Sequence, residues 1–173
     1  MNISDAHWHM LLNHFPIILS ITATGLLILA LFIRKKVFAN TALFLLVLSG
    51  ISSIPAFQTG EMAEEVIEAY PEISEATIEQ HEDAAAIGYT IILISGAIAL
   101  IALFIGRKKQ EYQMLPVVIG LVAGLTASGF MTWVGSTGGK IRHPELAQQT
   151  TNSIPGNQTQ DVQLLGGEED DDD

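Results

Sequence analysis

Uncharged stretches alternate with short charged clusters along this 173-residue chain. Windows at 15–33, 37–60, 84–106 and 112–139 contain no Asp, Glu, Lys or Arg. Each is long enough to cross a hydrocarbon core of ~30 Å, which takes about 20 helical residues. The pattern predicts an all-α, integral membrane four-helix bundle, with helices at about 14–33, 38–58, 82–106 and 113–135. Residues 1–145 form the transmembrane domain, and 146–173 a polar acidic tail. Ahead of the first window, Asp5 caps a turn with Trp8, Leu11, Leu12 and Phe15 on one side. Such a segment lies in the membrane interface, with Trp8 as an aromatic anchor. Pro16 falls in the first turn of the first spanning helix, where its missing N–H costs nothing. The second spanning helix ends around residues 55–60. A short surface helix follows at 61–70, acidic on one side and carrying Met62, Val66 and Ala69 on the other. Pro71 breaks it, and Ser74 is placed to cap the third spanning helix.

Charge adds an orientation. Lys and Arg number 8 against 19 Asp and Glu, for a net charge of −11. Arg34, Lys35 and Lys36 separate the first two windows, and Arg107, Lys108 and Lys109 separate the last two. Only Lys140 and Arg142 lie elsewhere. The positive-inside rule makes both basic loops cytoplasmic. The chain is then expected in the cell (inner) membrane, with both termini and the 59–83 loop extracytoplasmic. Basic residues follow the first window instead of preceding it, so that window reads as a retained helix and not as a secretory signal. A nucleic-acid binder and an ordinary cytosolic enzyme are excluded by the same distribution. Cysteine is absent, which removes disulfides, iron–sulfur clusters and covalently attached haem. The tail ends in two glutamates and four aspartates and has too little apolar content to fold alone.

Two internal patterns bear on packing. Residues 30–36, Ala-Leu-Phe-Ile-Arg-Lys-Lys, recur at 102–109 with one glycine inserted. Ser49-Gly50 with Thr59-Gly60 is echoed by Ser128-Gly129 with Thr137-Gly138. Two repeated helical hairpins about a pseudo-two-fold would produce this. Chance recurrence in low-complexity apolar sequence would too. Gly120, Gly124 and Ser128 put small residues on one stripe of the fourth helix, widened by Ala123 and Ala127. Such stripes let backbones approach within lipid.

Candidate chemistry rests on histidine. On the expected topology His7, His9, His14, His81 and His143 all lie on the outer side. Imidazole is the commonest biological metal ligand and holds haem iron axially. His14 and His81 open the two helices that run inward, so they are expected to face one another across the bundle as axial ligands of a b-type haem. His9 and His143 supply a second pair or orient the first. Interfacial histidine also serves as a plain headgroup or loop contact. Glu82 and Asp83 beside His81 are candidate metal ligands, or carboxylates that orient the imidazoles. Copper and zinc are the alternative ions. Nine acids between Glu61 and Asp83, with no Lys or Arg among them, would steer a cationic partner.

The segment His9-Met10-Leu11-Leu12-Asn13-His14-Phe15-Pro16 resembles the opening signature of a bacterial family of predicted four-helix membrane proteins, classed as a domain of unknown function. That signature reads approximately His-Pro-Leu-x-Val-His-Phe-Pro. Met10 and Asn13 depart from it. Residues 133–143, ending Gly138-Gly139-Lys140-Ile141-Arg142-His143, look like the family's closing Gly-Gly…His element, with a shorter spacing. His81 matches a histidine that opens the third helix in that pattern. The resemblance implies His9, His14, His81 and His143 as the family's shared histidines. It implies an association with cytochrome c-type modules, hence electron transfer.

The expectation is therefore a membrane protein, not an enzyme by itself. It binds haem b, or alternatively Cu or Zn, at its outer face for electron transfer. Its partners are the lipid bilayer, a soluble cytochrome or other respiratory partner, and further copies or subunits of a complex. The rivals are a non-redox subunit or scaffold that docks a partner through its acidic loop and tail, and a Cu/Zn-handling membrane protein.

Overall fold

A computed structural model describes residues 5–67, 70, 73–107 and 111–143. The described residues form five helices: α1 (Asp5–Leu12), α2 (His14–Ile33), α3 (Lys36–Ile67), α4 (Glu75–Arg107) and α5 (Met114–Arg142). Four of these segments are long and apolar enough to cross a membrane. The expected all-α membrane architecture is what the chain forms. Helices α2 to α5 each pack on the next in sequence, and α5 closes the ring against α2. Helix α1 lies mainly on α3. The expected acidic tail lies outside the described residues.

Side-chain size is sorted as lipid requires. The centre holds Ala23, Ala30, Ala42, Ala99, Ala102 and Ala127 around Leu27, Leu43, Leu46, Ile92 and Val117. Large apolar side chains such as Ile18, Ile94, Leu115 and Val122 face outward. Acyl chains are as apolar as leucine, so association comes from close backbone packing and not from hiding large side chains. The tightest approach joins α3 to α4. A Cβ on Gly50 would lie 3.2 Å from the Ile92 carbonyl oxygen and 3.4 Å from the Gly96 Cα. The Gly120/Gly124 stripe seats α5 on Leu43, Leu27 and Thr24. The Thr24 and Ser128 hydroxyls approach to 3.4 Å across the same contact.

Helix boundaries differ from the sequence reading mainly in α3. It runs unbroken through Pro55 to Ile67, absorbing much of the expected surface helix. Proline removes one backbone hydrogen bond, the one that the Ile51 carbonyl would otherwise accept, and a membrane helix tolerates that loss. Ser52 and Ser53 donate to the Ser49 and Gly50 carbonyls, and Thr59 donates to the Pro55 and Ala56 carbonyls. At 1.5 Å per residue, the 32 residues of α3 span about 48 Å. That exceeds a hydrocarbon core, so α3 and the 33-residue α4 extend beyond it at the acidic end. Helix α4 begins at Glu75, directly after Ser74 as the capping position expects, and runs through His81 into the spanning segment. The Ser74 carbonyl takes its first bonds, from the Thr77 and Ile78 amides. Pro71 lies outside the described residues.

At the opposite end, α2 turns into α3 through Arg34 and Lys35 alone. Arg34 closes α2 in the left-handed conformation, φ 53°, with its amide on the Ala30 carbonyl. Non-glycine residues adopt that conformation uncommonly.

The packing does not treat the two halves of the apparent repeat alike everywhere. Gly50 sits in the tightest helix contact, whereas Gly129 faces open space. Gly60 and Gly138 are the exception, and both belong to the histidine end.

Candidate functional site

The site is assembled from three elements of the bundle plus α1. Helix α1 is amphipathic in the expected sense, with Trp8 and Leu11 exposed at 43% and 58%. Its other side carries His9, which is half-buried. The His9 ring enters the bundle beside His81, the half-buried histidine of the second turn of α4. Their ring centroids are 6.4 Å apart, with the planes at 72°.

Hydrogen bonds fix the tautomer of each ring. His9 Nδ1 lies 3.0 Å from the Ala56 carbonyl oxygen. A carbonyl only accepts, so Nδ1 carries the proton and Nε2 keeps its lone pair. His81 Nδ1 lies 2.9 Å from Thr137 Oγ1. That hydroxyl already donates its one proton to the Val134 carbonyl, at 2.8 Å. Thr137 Oγ1 therefore accepts from His81 Nδ1–H, and His81 Nε2 also keeps its lone pair. This is the arrangement by which partners outside the donor set orient an imidazole for coordination.

Glycine makes the seat for each ring. A Cβ on Gly60 would lie 3.1 Å from His9 Cε1. One on Gly138 would lie 3.0 Å from His81 Cε1. Gly60 and Gly138 thus occupy equivalent places, one per histidine, whereas Thr59 donates to carbonyls of its own helix and Thr137 accepts from His81. Sequence reading marked these pairs as a repeat but did not connect them with the histidines. It missed Ala56, Gly60, Thr137 and Gly138 as site residues. The usable signal was the recurrence of Thr-Gly at the histidine end of α3 and α5.

The four histidines expected to act together are not gathered at one place. The ring facing His81 is that of His9. His14 is exposed and donates from Nδ1 to the Met10 carbonyl one turn earlier, at 2.7 Å. That bond ties it back to α1, across the single residue Asn13 that separates the two helices. His143 follows α5 and is exposed, its backbone amide on the Gly139 carbonyl. Glu82 and Asp83 are exposed on α4. Among the described residues, no three His, Asp or Glu side chains form a metal-holding group. The geometry offers two imidazole nitrogens and no third protein ligand among those residues.

Around the pair, the end of the bundle is acidic. Glu61, Glu64 and Glu65 stand on the last turns of α3, and Glu75, Glu79, Glu82 and Asp83 on the first turns of α4. Phe57 and Tyr89 stack between the same two helices, with centroids 4.5 Å apart at 14°.

No curated protein and no solved structure matches the chain. A family model does, over residues 7–144, from just before the first site histidine to just beyond α5. Its description is "Predicted membrane protein (DUF2231)". That match covers most of the sequence and the whole helical bundle, and the chain belongs to this family of predicted membrane proteins.

Proposed function

We propose that this membrane protein holds a copper ion between His9 and His81 and exchanges single electrons through it. The observation that carries the reading is the paired tautomer. Two neighbouring imidazoles each donate Nδ1–H to a fixed acceptor and keep Nε2 available. Separation supports it as well. An ion lies about 2.0 Å from a ligating nitrogen, hence about 3 Å from the ring centroid. Two rings on opposite sides of one ion then stand about 6 Å apart, close to the 6.4 Å found here. Reduced copper accepts two nitrogen donors in such an array, and imidazole serves both of its oxidation states. Zinc favours four ligands, more than this pair supplies. A haem between the rings is supported less well, because Gly60 and Gly138 bring the α3 and α5 backbones against them.

Orientation belongs to the same proposal. The basic turn faces the cytoplasm and the histidine pair faces outward. The acidic ends of α3 and α4 then steer a cationic redox partner toward the pair, an effect that salt weakens.

The test is copper loading of the detergent-purified chain under reducing conditions, with metal analysis and an absorption spectrum on one sample. About one copper per chain is expected, lost in His9→Ala and His81→Ala and retained in His14→Ala. Equal copper in all four proteins overturns the reading. A Soret band in the purified chain, abolished by the same two variants, would replace the bare ion with haem.

A further inference from the structure

At the end of the bundle remote from the histidines, we infer that the chain binds the headgroup of an anionic phospholipid. The inference is independent of the metal reading. A shallow cleft lies there between the first turns of α3 and α5 and the last turns of α4, with room for no more than about one water, so that a headgroup would rest over it and not inside it. Its polar lining is Lys36, Asn40, Glu111 and Gln113, and Gly106 and Pro116 form its apolar wall. Arg34 and Lys35 are exposed immediately beside it, in the two-residue turn that leads into Lys36. The Asn40 side chain has no hydrogen-bond partner among the described residues.

Place and chemistry agree on the ligand. The cleft sits where the apolar windows end, at headgroup depth. A phosphodiester there lies beside Lys36 and the Asn40 amide, and Arg34 and Lys35 add positive charge from the adjoining turn. The exposed Glu111 carboxylate accepts hydrogen bonds from headgroup hydroxyls. Exposed Phe32 and Val37 flank the turn on the lipid side, where acyl chains run. Each Lys or Arg near a surface of anionic lipid strengthens binding about fivefold.

Native mass spectrometry of the full chain in detergent, with equal phosphatidylglycerol and phosphatidylcholine, tests this. A micelle has no sides, so the role of these residues in setting insertion direction does not intrude. The wild type is expected to retain phosphatidylglycerol at least about fivefold over phosphatidylcholine. The combined Arg34→Gln, Lys35→Gln, Lys36→Gln variant should bring that ratio near one. Lys36→Gln with Asn40→Ala, a smaller change for the fold, should lower it about fivefold. Lys140→Gln with Arg142→Gln, at the other end, should leave it unchanged. Absence of preference in the wild type, or preference that survives the first two variants, overturns the inference. Displacement of the lipid by inorganic phosphate would also overturn it, by identifying a free-anion site.

Discussion

Replacing Thr137 by valine removes one hydroxyl and keeps the branched shape. The change takes from His81 Nδ1–H the hydroxyl acceptor now 2.9 Å away and leaves it the Val134 carbonyl. The Val134 carbonyl loses the hydroxyl bond at 2.8 Å but remains inside α5, where the helix supplies its own amide. A fully buried donor left without a partner costs about 1–3 kcal/mol, and this half-buried ring, which keeps the Val134 carbonyl, pays less. His81 can avoid that cost by moving its proton to Nε2, which removes the lone pair the ion needs. Losing an orienting partner of this kind weakens metal binding by about 10- to 100-fold. Thr137→Ser keeps the acceptor and should bind within a few-fold of the wild type. Copper affinity is read by competition with a chromophoric chelator, and nitrogen NMR of labelled imidazole reads the tautomer. Gel filtration confirms folding. If Thr137→Val binds copper like the wild type while His81→Ala does not, the hydroxyl does not position the ring.

Other expectations concern packing. Gly50→Ala should lower thermal stability in detergent, because its methyl meets the Ile92 carbonyl and Gly96 Cα, backbone atoms that move only with α4. Overpacking costs about 1–3 kcal/mol, against about 1 kcal/mol gained in helix propensity. Gly129→Ala meets nothing within 4 Å and should show the propensity gain alone, as a raised melting temperature. Gly138→Val should displace the His81 ring and abolish copper retention while the chain still elutes as a folded particle. Tyr112→Phe should stabilise by about 1 kcal/mol in detergent melts, because the Tyr112 hydroxyl is buried without a partner.

The spanning helices were legible because absence of charge over about 20 residues has few physical meanings. Small residues inside the bundle were legible too, at Gly120 and Gly124, since periodicity places them on one stripe. The end of α3 was not. Pro55 signals a break in water, whereas in a dry setting the remaining backbone groups find their best partners within the helix, which continues. All five histidines stood out, but their pairing did not. Depth along the chain put His14 opposite His81. What decides the pair is that α1 lies on α3 and turns His9 inward, a tertiary choice not visible in spacing. The residues that orient the rings were hidden for the same reason. A backbone carbonyl at Ala56 has no sequence signature, and Thr137 has one only through its echo at Thr59.

The wiring of the histidine pair also imposes an order of assembly. The bond from His9 crosses 47 positions to Ala56, and that from His81 crosses 56 to Thr137. During synthesis, His9 waits at the first helix until α3 has been made. His81 in turn waits for nearly the whole of α5. A chain arrested before residue 137 has its spanning helices largely in place and one imidazole without an anchor. Completion of the pair thus coincides with completion of the bundle.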